Sequence, residues 1–214
     1  MEAIRITDFK AFHGRNVYSH TPVFRLNINI GKYCDVPTNA IKGFNERLLS
    51  AFPGLLMHTC CSGKTGGFGE RLNEGTYLGH ITEHVIIDLQ NESGFNVKYG
   101  KTISDKSSDC TLYIEYVDED CALKCCHGAV ELLNNLIDNT KADKKSVLSK
   151  IEETKERVLP GPSTLAIISE AKKRFIPVKR IGTGNLIWLG YGNKSKLLQA
   201  TLSDYASCIA TDIC

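Results

Sequence analysis

Apolar and polar residues alternate in some segments of the chain and recur at helical spacing in others. Residues 21–30 show an imperfect alternation that ends at Gly31, which is typical of a strand. A helix is predicted to start at Pro37, because apolar residues then recur every three or four positions until Pro53 and Gly54. The N-terminal part of the chain is therefore expected to mix helices with strands.

The middle of the chain continues this mixture. Positions 60–69 are rich in glycine and other small residues, so we predict a loop that can lie close to a ligand. A helix is predicted from about 75 to 92, and two strands at 96–103 and 111–117 are expected to form a hairpin. The apolar stripe of a further helix, at about 120–138, suits packing against that sheet. The predicted fold class is α+β, with a small, mainly antiparallel sheet packed by helices.

The composition of the chain changes near residue 158, where we predict a domain boundary. Residues 139–157 are strongly charged and poor in apolar side chains, as expected of a solvated helix or a linker. A capped helix at 163–173 and several short strands follow, which is too little to form a large core alone. We therefore predict an N-terminal domain at 1–158 and a short α/β segment at 159–214.

The composition as a whole is that of a globular protein with nearly balanced charge. Hydrophobic residues make up 42% of the chain, and 26 basic against 24 acidic residues leave a formal charge of +2. This balance argues against a broad nucleic-acid-binding surface. We also expect no membrane span and no signal peptide, because no apolar run is long enough and charged residues occur at the start of the chain. These features predict a cytoplasmic protein.

The chain has nine cysteines, and this odd number without a secretory signal favours reduced thiols over disulfides. The densest group is Cys121, Cys125, Cys126 and His127, with Cys110 upstream. Its spacing matches no common zinc finger. We therefore expect these thiols to pack as small apolar residues.

The segment His80-Ile81-Thr82-Glu83-His84 carries the residues with the clearest chemistry. At about 3.6 residues per turn, His80, Glu83 and His84 project from one face of the predicted helix, whereas apolar residues fill the other. Two imidazoles one turn apart can bind one zinc ion, and a nearby carboxylate can accept a proton from water that zinc has acidified. The His-x-x-Glu-His order matches an inverted zinc-protease pattern. We therefore predict His80 and His84 as metal ligands and Glu83 as the catalytic base.

The same five residues can also belong to a helix that binds no metal. In that interpretation the histidines are exposed or hydrogen-bonded, and Glu83 pairs with a surface lysine. A short pattern arises by chance often enough that structural context has to decide between the two interpretations.

A zinc site of this type needs a third protein ligand. Asp88, one turn further along the helix, is the first choice, with Glu92 and His58 as alternatives. Arg71 and Arg47 are candidates for binding a substrate carboxylate, because a guanidinium group matches carboxylate geometry. Surface ion pairs are the alternative for both arginines.

Several short motifs are spread over nearly the whole chain. They are Phe52-Pro53-Gly54-Leu55, His58, Cys60 or Cys61, Gly66-Gly67-Phe68, Arg71-Leu72, the stretch from Glu74 to His80, Glu83-His84-Val85, Gly161-Pro162-Ser163-Thr164 and Leu189-Gly190-Tyr191-Gly192. In this order they resemble the N-terminal domain of the cyanophycin synthetases, followed by the beginning of the family's ATP-grasp module.

That family joins aspartate and arginine into the polymer cyanophycin. The resemblance implies that residues 1–158 hold the growing polymer near the active sites and, in some members, cut it at a metallopeptidase-like site to make primers. His80, Glu83 and His84 occupy the positions of that site, whereas Asp88 stands where the family usually has glutamate. ATP and magnesium are expected only in synthetase domains that this sequence does not include.

The resemblance also implies the partners of the chain. They are cyanophycin or a related β-Asp-Arg polymer, the remaining synthetase domains, and further copies of the chain in a homo-oligomer. The leading hypothesis is a polymer-binding domain that hydrolyses the polymer with zinc, and manganese or iron are the alternative metals for imidazole and carboxylate ligands. A polymer-tethering module without metal is the second hypothesis, and a contribution to assembly by residues 163–214 is the third.

Overall fold

The computed structural model describes residues 3–60, 63–104, 107–182, 185–203 and 206, and these residues form helices and antiparallel sheets in two compact units. The units are 1–154 and 155–214. The helices are α1 (Phe44–Ala51), α2 (Gly67–Glu74), α3 (Leu78–Glu92), α4 (Glu119–Ile137), α5 (Lys144–Val158) and α6 (Pro162–Lys173). The strands are β1 (Arg5–Phe12), β2 (Val23–Asn29), β3 (Gly100–Ser104), β4 (Asp109–Glu115), β5 (Val178–Arg180), β6 (Leu186–Leu189), β7 (Lys196–Gln199) and β8 (Leu202–Ser203).

The sheet of the first unit has the strand order β1-β2-β4-β3, and every neighbouring pair is antiparallel. Its core comes from alternate residues of the two central strands. Phe24 and Leu26 of β2 pair with Ile114 and Leu112 of β4, and all four side chains are buried. The period of two along each strand places these residues on one face, which buries the apolar side of the sheet.

Helices α3 and α4 cover that sheet. The two helices contact each other. Helix α3 also packs on β3 and β4, and α4 packs on β1. The apolar stripe of α3, including Ile81, Val85 and Leu89, is fully buried. The predicted fold class, α+β with a small antiparallel sheet packed by helices, is confirmed.

Several element boundaries differ from the prediction, and one strand was not predicted. The helix expected to start at Pro37 begins only at Phe44, because Gly43 has a φ of +66°, a left-handed conformation that a helix cannot continue through. The loop expected at 60–69 ends earlier, since Gly67 already starts α2. Strand β1 was not predicted, because none of its side chains is fully buried and its apolar alternation is correspondingly weak.

The second unit contains α6 and a four-stranded antiparallel sheet with the order β5-β6-β7-β8. Its strands are two to four residues long, as expected of the short segment predicted from the sequence. The charged stretch before it forms α5, so the helical interpretation of that stretch is confirmed. The division between units falls inside α5, and the assignment of domains at 1–158 and 159–214 stays a prediction.

Candidate functional site

Helix α3 buries its polar face as well as its apolar face. Glu83, His84 and Asp88 are only 5%, 4% and 5% exposed. The apolar face packs on the sheet and on α4, so the polar face meets the segment that contains His58 and the beginning of α2. Buried polar groups need partners, and this face therefore carries a network of hydrogen bonds.

Three donor atoms converge on this face of α3. The Nε2 atoms of His80 and His84 lie 3.1 Å apart, and the Sγ atom of Cys60 is 3.3 Å from Nε2 of His80. One donor atom from each of these residues lies within 4.8 Å of the other two. Sulfur and imidazole nitrogen in such a cluster are the donors that zinc prefers. The described part of the chain thus holds a group that could bind a metal ion.

The other ring nitrogen of each histidine also has a partner. Nδ1 of His80 is 2.9 Å from the hydroxyl of Thr76, and Nδ1 of His84 is 3.1 Å from Nδ1 of His58. The ring of Phe68 packs against His84, with centroids 4.3 Å apart. Such outer contacts fix the orientation of imidazole rings in metal sites.

Both histidines of the cluster are held in the neutral form. Burial lowers the pKa of His80 to about 4, and the Arg71 cation adds to this effect. Burial also lowers the pKa of His84 to about 2, with further contributions from His80 and His58. Neutral imidazole is the form that binds metals, so the two histidines do not have to lose protons near neutral pH before binding.

Glu83 lies in a small space bounded by β3. Its carboxylate accepts a hydrogen bond from the hydroxyl of Thr102. Gly100 leaves room for the carboxylate, because a Cβ atom there would lie 2.5 Å from Oε1 of Glu83. Burial raises the pKa of Glu83 to about 7, although the Thr102 hydrogen bond acts in the opposite direction. A carboxyl group with this pKa can both accept and donate a proton near neutral pH.

A cleft of about 1130 Å³ opens along the cluster. His80, Glu83 and His84 form part of its wall. Arg71 of α2, Lys98 and Lys101 also line it, and all three cations are exposed. The cleft is large enough for an extended chain of several residues, and its exposed cations favour ligands that carry carboxylates.

Asp88 and Glu92 lie away from the three converging donors. Oδ1 of Asp88 is 3.2 Å from Nε2 of His58, and Glu92 forms an ion pair of 2.5 Å with Lys144. The structure therefore brings His80 and His84 together with Cys60, and it places Asp88 behind His58.

The two arginines proposed from the sequence occupy different places. Arg71 lines the cleft, where its guanidinium group lies 3.8 Å from the carboxylate of Glu74. Arg47 donates hydrogen bonds to the carbonyl oxygens of Leu136 and Lys42, at 2.9 and 3.1 Å. Its guanidinium group thus stabilises the C-terminal end of α4.

One protein family matches the region of the chain that contains this site. Residues 25–138 match the family described as the cyanophycin synthase-like N-terminal domain, which is more than half of the chain. The chain belongs to this family. The cluster, Glu83 and the cleft all lie inside the matched residues of this cyanophycin synthase-like domain.

Several curated proteins are similar to this member of the cyanophycin synthase-like family. A cyanophycin synthetase of Crocosphaera subtropica is 34% identical over 192 residues, which cover 88% of this chain and 22% of that protein. A cyanophycin synthetase of Trichormus variabilis is 33% identical over 216 residues, covering 98% of this chain and 24% of that protein. The chain thus spans about a quarter of the length of these relatives.

In the described ranges, no helix combines the length and apolar character needed to cross a membrane.

Cys60 is the site residue that the sequence did not single out as a donor. It lies 20 positions before His80, in a segment that was expected only to approach a ligand. The signal that could have found it is a cysteine two residues after His58, at the start of a glycine-rich segment. By contrast, Cys121, Cys125 and Cys126 are buried among apolar residues of α4, as predicted.

Proposed function

We propose that this domain binds a cyanophycin-like polymer in its cleft and hydrolyses it at a metal centre beside Glu83. The observation that carries the proposal is the convergence of Cys60, His80 and His84 on the wall of a large cleft, next to a buried carboxyl group. The relatives named cyanophycin synthetase supply the substrate class.

Cys60, His80 and His84 would hold the metal, which we infer to be zinc. One thiolate and two imidazoles suit zinc, and three protein ligands are typical of catalytic zinc sites, which keep one position open. A bound zinc ion would polarise a substrate carbonyl and make water more acidic. The neutral state of both histidines supports this assignment.

Glu83 is proposed as the proton carrier of the hydrolysis. Its carboxylate takes a proton from water as the water oxygen bonds to the amide carbon. It then returns that proton to the amide nitrogen, so that the carbon–nitrogen bond breaks and an acid and an amine are released. Without metal, burial raises the pKa of Glu83 to about 7, and a zinc cation nearby would lower this pKa and favour the carboxylate that accepts the proton from water. Thr102 and Gly100 keep the carboxylate in place.

Arg71, Lys98 and Lys101 are proposed to bind carboxylates of the polymer. They line the same cleft as Glu83, and their exposed side chains can follow an extended chain. A β-Asp-Arg polymer presents a free carboxylate on each arginine unit, which gives such cations repeated partners. Guanidinium and ammonium groups each form charge-assisted hydrogen bonds with carboxylates.

Zinc content and polymer cleavage, measured together, test the proposal. We expect the purified chain to contain zinc and to cut cyanophycin. Glu83→Gln should keep the zinc and lose cleavage by about 100-fold to 10,000-fold, the usual contribution of a general base. A parent protein with neither zinc nor cleavage would contradict the proposal and would favour a polymer-tethering module. Unchanged cleavage by a folded Glu83→Gln would contradict the role of Glu83.

A further inference from the structure

A chain of hydrogen bonds connects Asp88 to the metal cluster through two histidine rings. Asp88 contacts Nε2 of His58, and Nδ1 of His58 contacts Nδ1 of His84. We propose that Asp88 is a positioning residue, which acts through His58 to aim the free electron pair of His84 Nε2 at the metal. This inference rests on the proposed metal centre, and it gives Asp88 a role other than that of third ligand.

The chain has a defined direction because its first member can only accept. An ionised carboxylate has no proton to donate, so the contact of 3.2 Å requires Nε2 of His58 to be the donor. In neutral His58 the proton on Nε2 leaves Nδ1 as an acceptor. Nδ1 of His84 must then donate across the 3.1 Å contact between the two rings.

This direction determines which nitrogen of His84 is free to bind a metal. When Nδ1 of His84 carries the proton of the neutral ring, Nε2 carries an electron pair, and this is the atom 3.1 Å from Nε2 of His80. The opposite arrangement would point a proton from His84 at the place where the donors converge. Asp88 therefore selects the ring form of His84 that can bind a metal.

His80 has a matching but simpler arrangement. The hydroxyl of Thr76 lies 2.9 Å from its Nδ1 atom and can accept a hydrogen bond from it. Each imidazole of the cluster thus has an acceptor behind it, either a hydroxyl or the pair formed by His58 and Asp88. Partners of this kind orient histidine ligands in metal sites.

The surroundings of Asp88 fit a fixed carboxylate better than an exposed surface group. Its side chain is 7% exposed, and that of His58 is 16% exposed. A Cβ atom on Gly54 would lie 2.8 Å from Oδ1 of Asp88, so the absence of a side chain there makes room for the carboxylate. The ammonium group of Lys144 lies 3.8 Å from Oδ2 and balances the charge.

Zinc affinity in Asp88→Asn tests the positioning role. The amide is nearly the same size but neutral, and it can donate as well as accept, so the direction of the chain is no longer imposed. We expect a loss of about 10-fold to 100-fold in zinc affinity, the usual effect of removing such an outer partner. Glu92→Gln is the matched control, because it removes the other carboxylate near Lys144 on the same helix and should change the affinity less than twofold.

Two spectroscopic measurements separate positioning from direct ligation and from a folding defect. With cobalt in place of zinc, the visible spectrum at saturation should be the same in the parent and in Asp88→Asn, since the ligands are unchanged. In the metal-free parent, nitrogen NMR of the histidine rings should find the proton of His84 on Nδ1. In Asp88→Asn we expect a mixture of both ring forms. His58→Asn, which keeps an acceptor close to the original Nδ1, should retain more affinity than His58→Leu.

The outcomes distinguish this inference from the proposed function. Zinc binding by the parent together with unchanged affinity and ring form in Asp88→Asn would overturn the positioning role and leave the metal centre intact. A changed cobalt spectrum in Asp88→Asn would overturn it in favour of direct ligation. If the parent bound no zinc, the proposed metal centre would fail. The ring form in metal-free protein would then decide separately whether Asp88 controls His84.

Discussion

Helices α3 and α4 lie against each other in the N-terminal unit, and each carries several residues that bind metals in other proteins. On α3, His80 and His84 face a cleft, and their ring nitrogens contact other polar groups. On α4, Cys125 and Cys126 are fully buried, and burial raises the pKa of both thiols. The thiolate is the form that binds metals, so the environment of α4 opposes the chemistry that the environment of α3 favours.

The difference shows that a metal site depends on access and on outer partners as much as on residue type. The α3 histidines have polar partners behind them and an opening in front of them. The α4 cysteines fill space in the core as small apolar groups. Substitutions of the α3 histidines should therefore change metal binding, whereas substitutions of the α4 cysteines should change the packing of the core.

The largest expected difference concerns zinc content. His84→Ala should remove most or all of the zinc, because it deletes one of three converging donors. Cys125→Ala should keep the zinc of the parent, since its thiol is buried in the core of the fold. Metal analysis of both purified variants, with circular dichroism to confirm folding, checks this prediction. Zinc retained by His84→Ala, or lost by a folded Cys125→Ala, would contradict the contrast.

Two glycine substitutions are expected to change stability and cleavage by less than the loss of a metal ligand does. Gly100→Ala places a methyl group against the Glu83 carboxylate, and Gly128→Ala on α4 places one against Val147 of α5. Overpacking of this kind costs about 1–3 kcal/mol of unfolding free energy. In Gly128→Ala, the better helix propensity of alanine offsets about 1 kcal/mol.

Cleavage rates distinguish the two glycine variants. We expect cleavage to fall in Gly100→Ala, because the carboxylate has to move, and to persist in folded Gly128→Ala. Denaturant unfolding of both proteins gives their stabilities. Equal cleavage by the two variants would show that the position of Glu83 beside Gly100 does not matter.

The pH dependence of stability provides the subtlest test of the α3 site. In the metal-free protein, Glu83 has a pKa raised from 4.5 to about 7, so between these values the folded state binds more protons than the unfolded state. Its contribution to stability is present below pH 4.5 and is lost as the pH rises through 7. His80 and His84 act in the opposite direction, because their lowered pKa values make stability fall as the pH drops below 6.5.

Glu83→Gln should remove the carboxyl contribution alone. Relative to the parent, the unfolding free energy of this variant should rise by roughly 3 kcal/mol between pH 4.5 and pH 8, since each pKa unit corresponds to about 1.4 kcal/mol. Denaturant unfolding across this range measures the difference. If the unfolding free energies of the two proteins changed equally with pH, Glu83 would ionise as an ordinary exposed carboxyl group does.

The sequence pattern predicted the elements whose apolar residues are regularly spaced. Strand β2 and helix α4 were found because one face of each is buried and the other is less so. Strand β1 was missed because its side chains are mostly exposed or half-buried, which leaves little hydrophobic contrast to read. The helix start at Phe44 depended on the left-handed conformation of Gly43, which spacing alone does not reveal.

In the candidate site, too, some residues could be predicted from the sequence and others could not. The positions of His80, Glu83 and His84 on one helical face follow from local geometry, so the sequence was enough to group them. The approach of Cys60 to His80 depends on how residues 58–60 pack over α3. The location of His58 between Asp88 and His84 depends on the same segment. Contacts that arise from loop conformation and tertiary packing could not be read from residue spacing.

X-ray absorption spectroscopy of the zinc-loaded chain tests the proposed metal centre most directly, because it counts the sulfur atoms bound to the metal. The arrangement of Cys60, His80 and His84 predicts one sulfur ligand at about 2.3 Å together with lighter nitrogen or oxygen ligands at about 2.0–2.1 Å. The sulfur contribution should disappear in Cys60→Ser. A parent spectrum that contains only nitrogen and oxygen ligands would contradict the assignment of Cys60 to the metal centre.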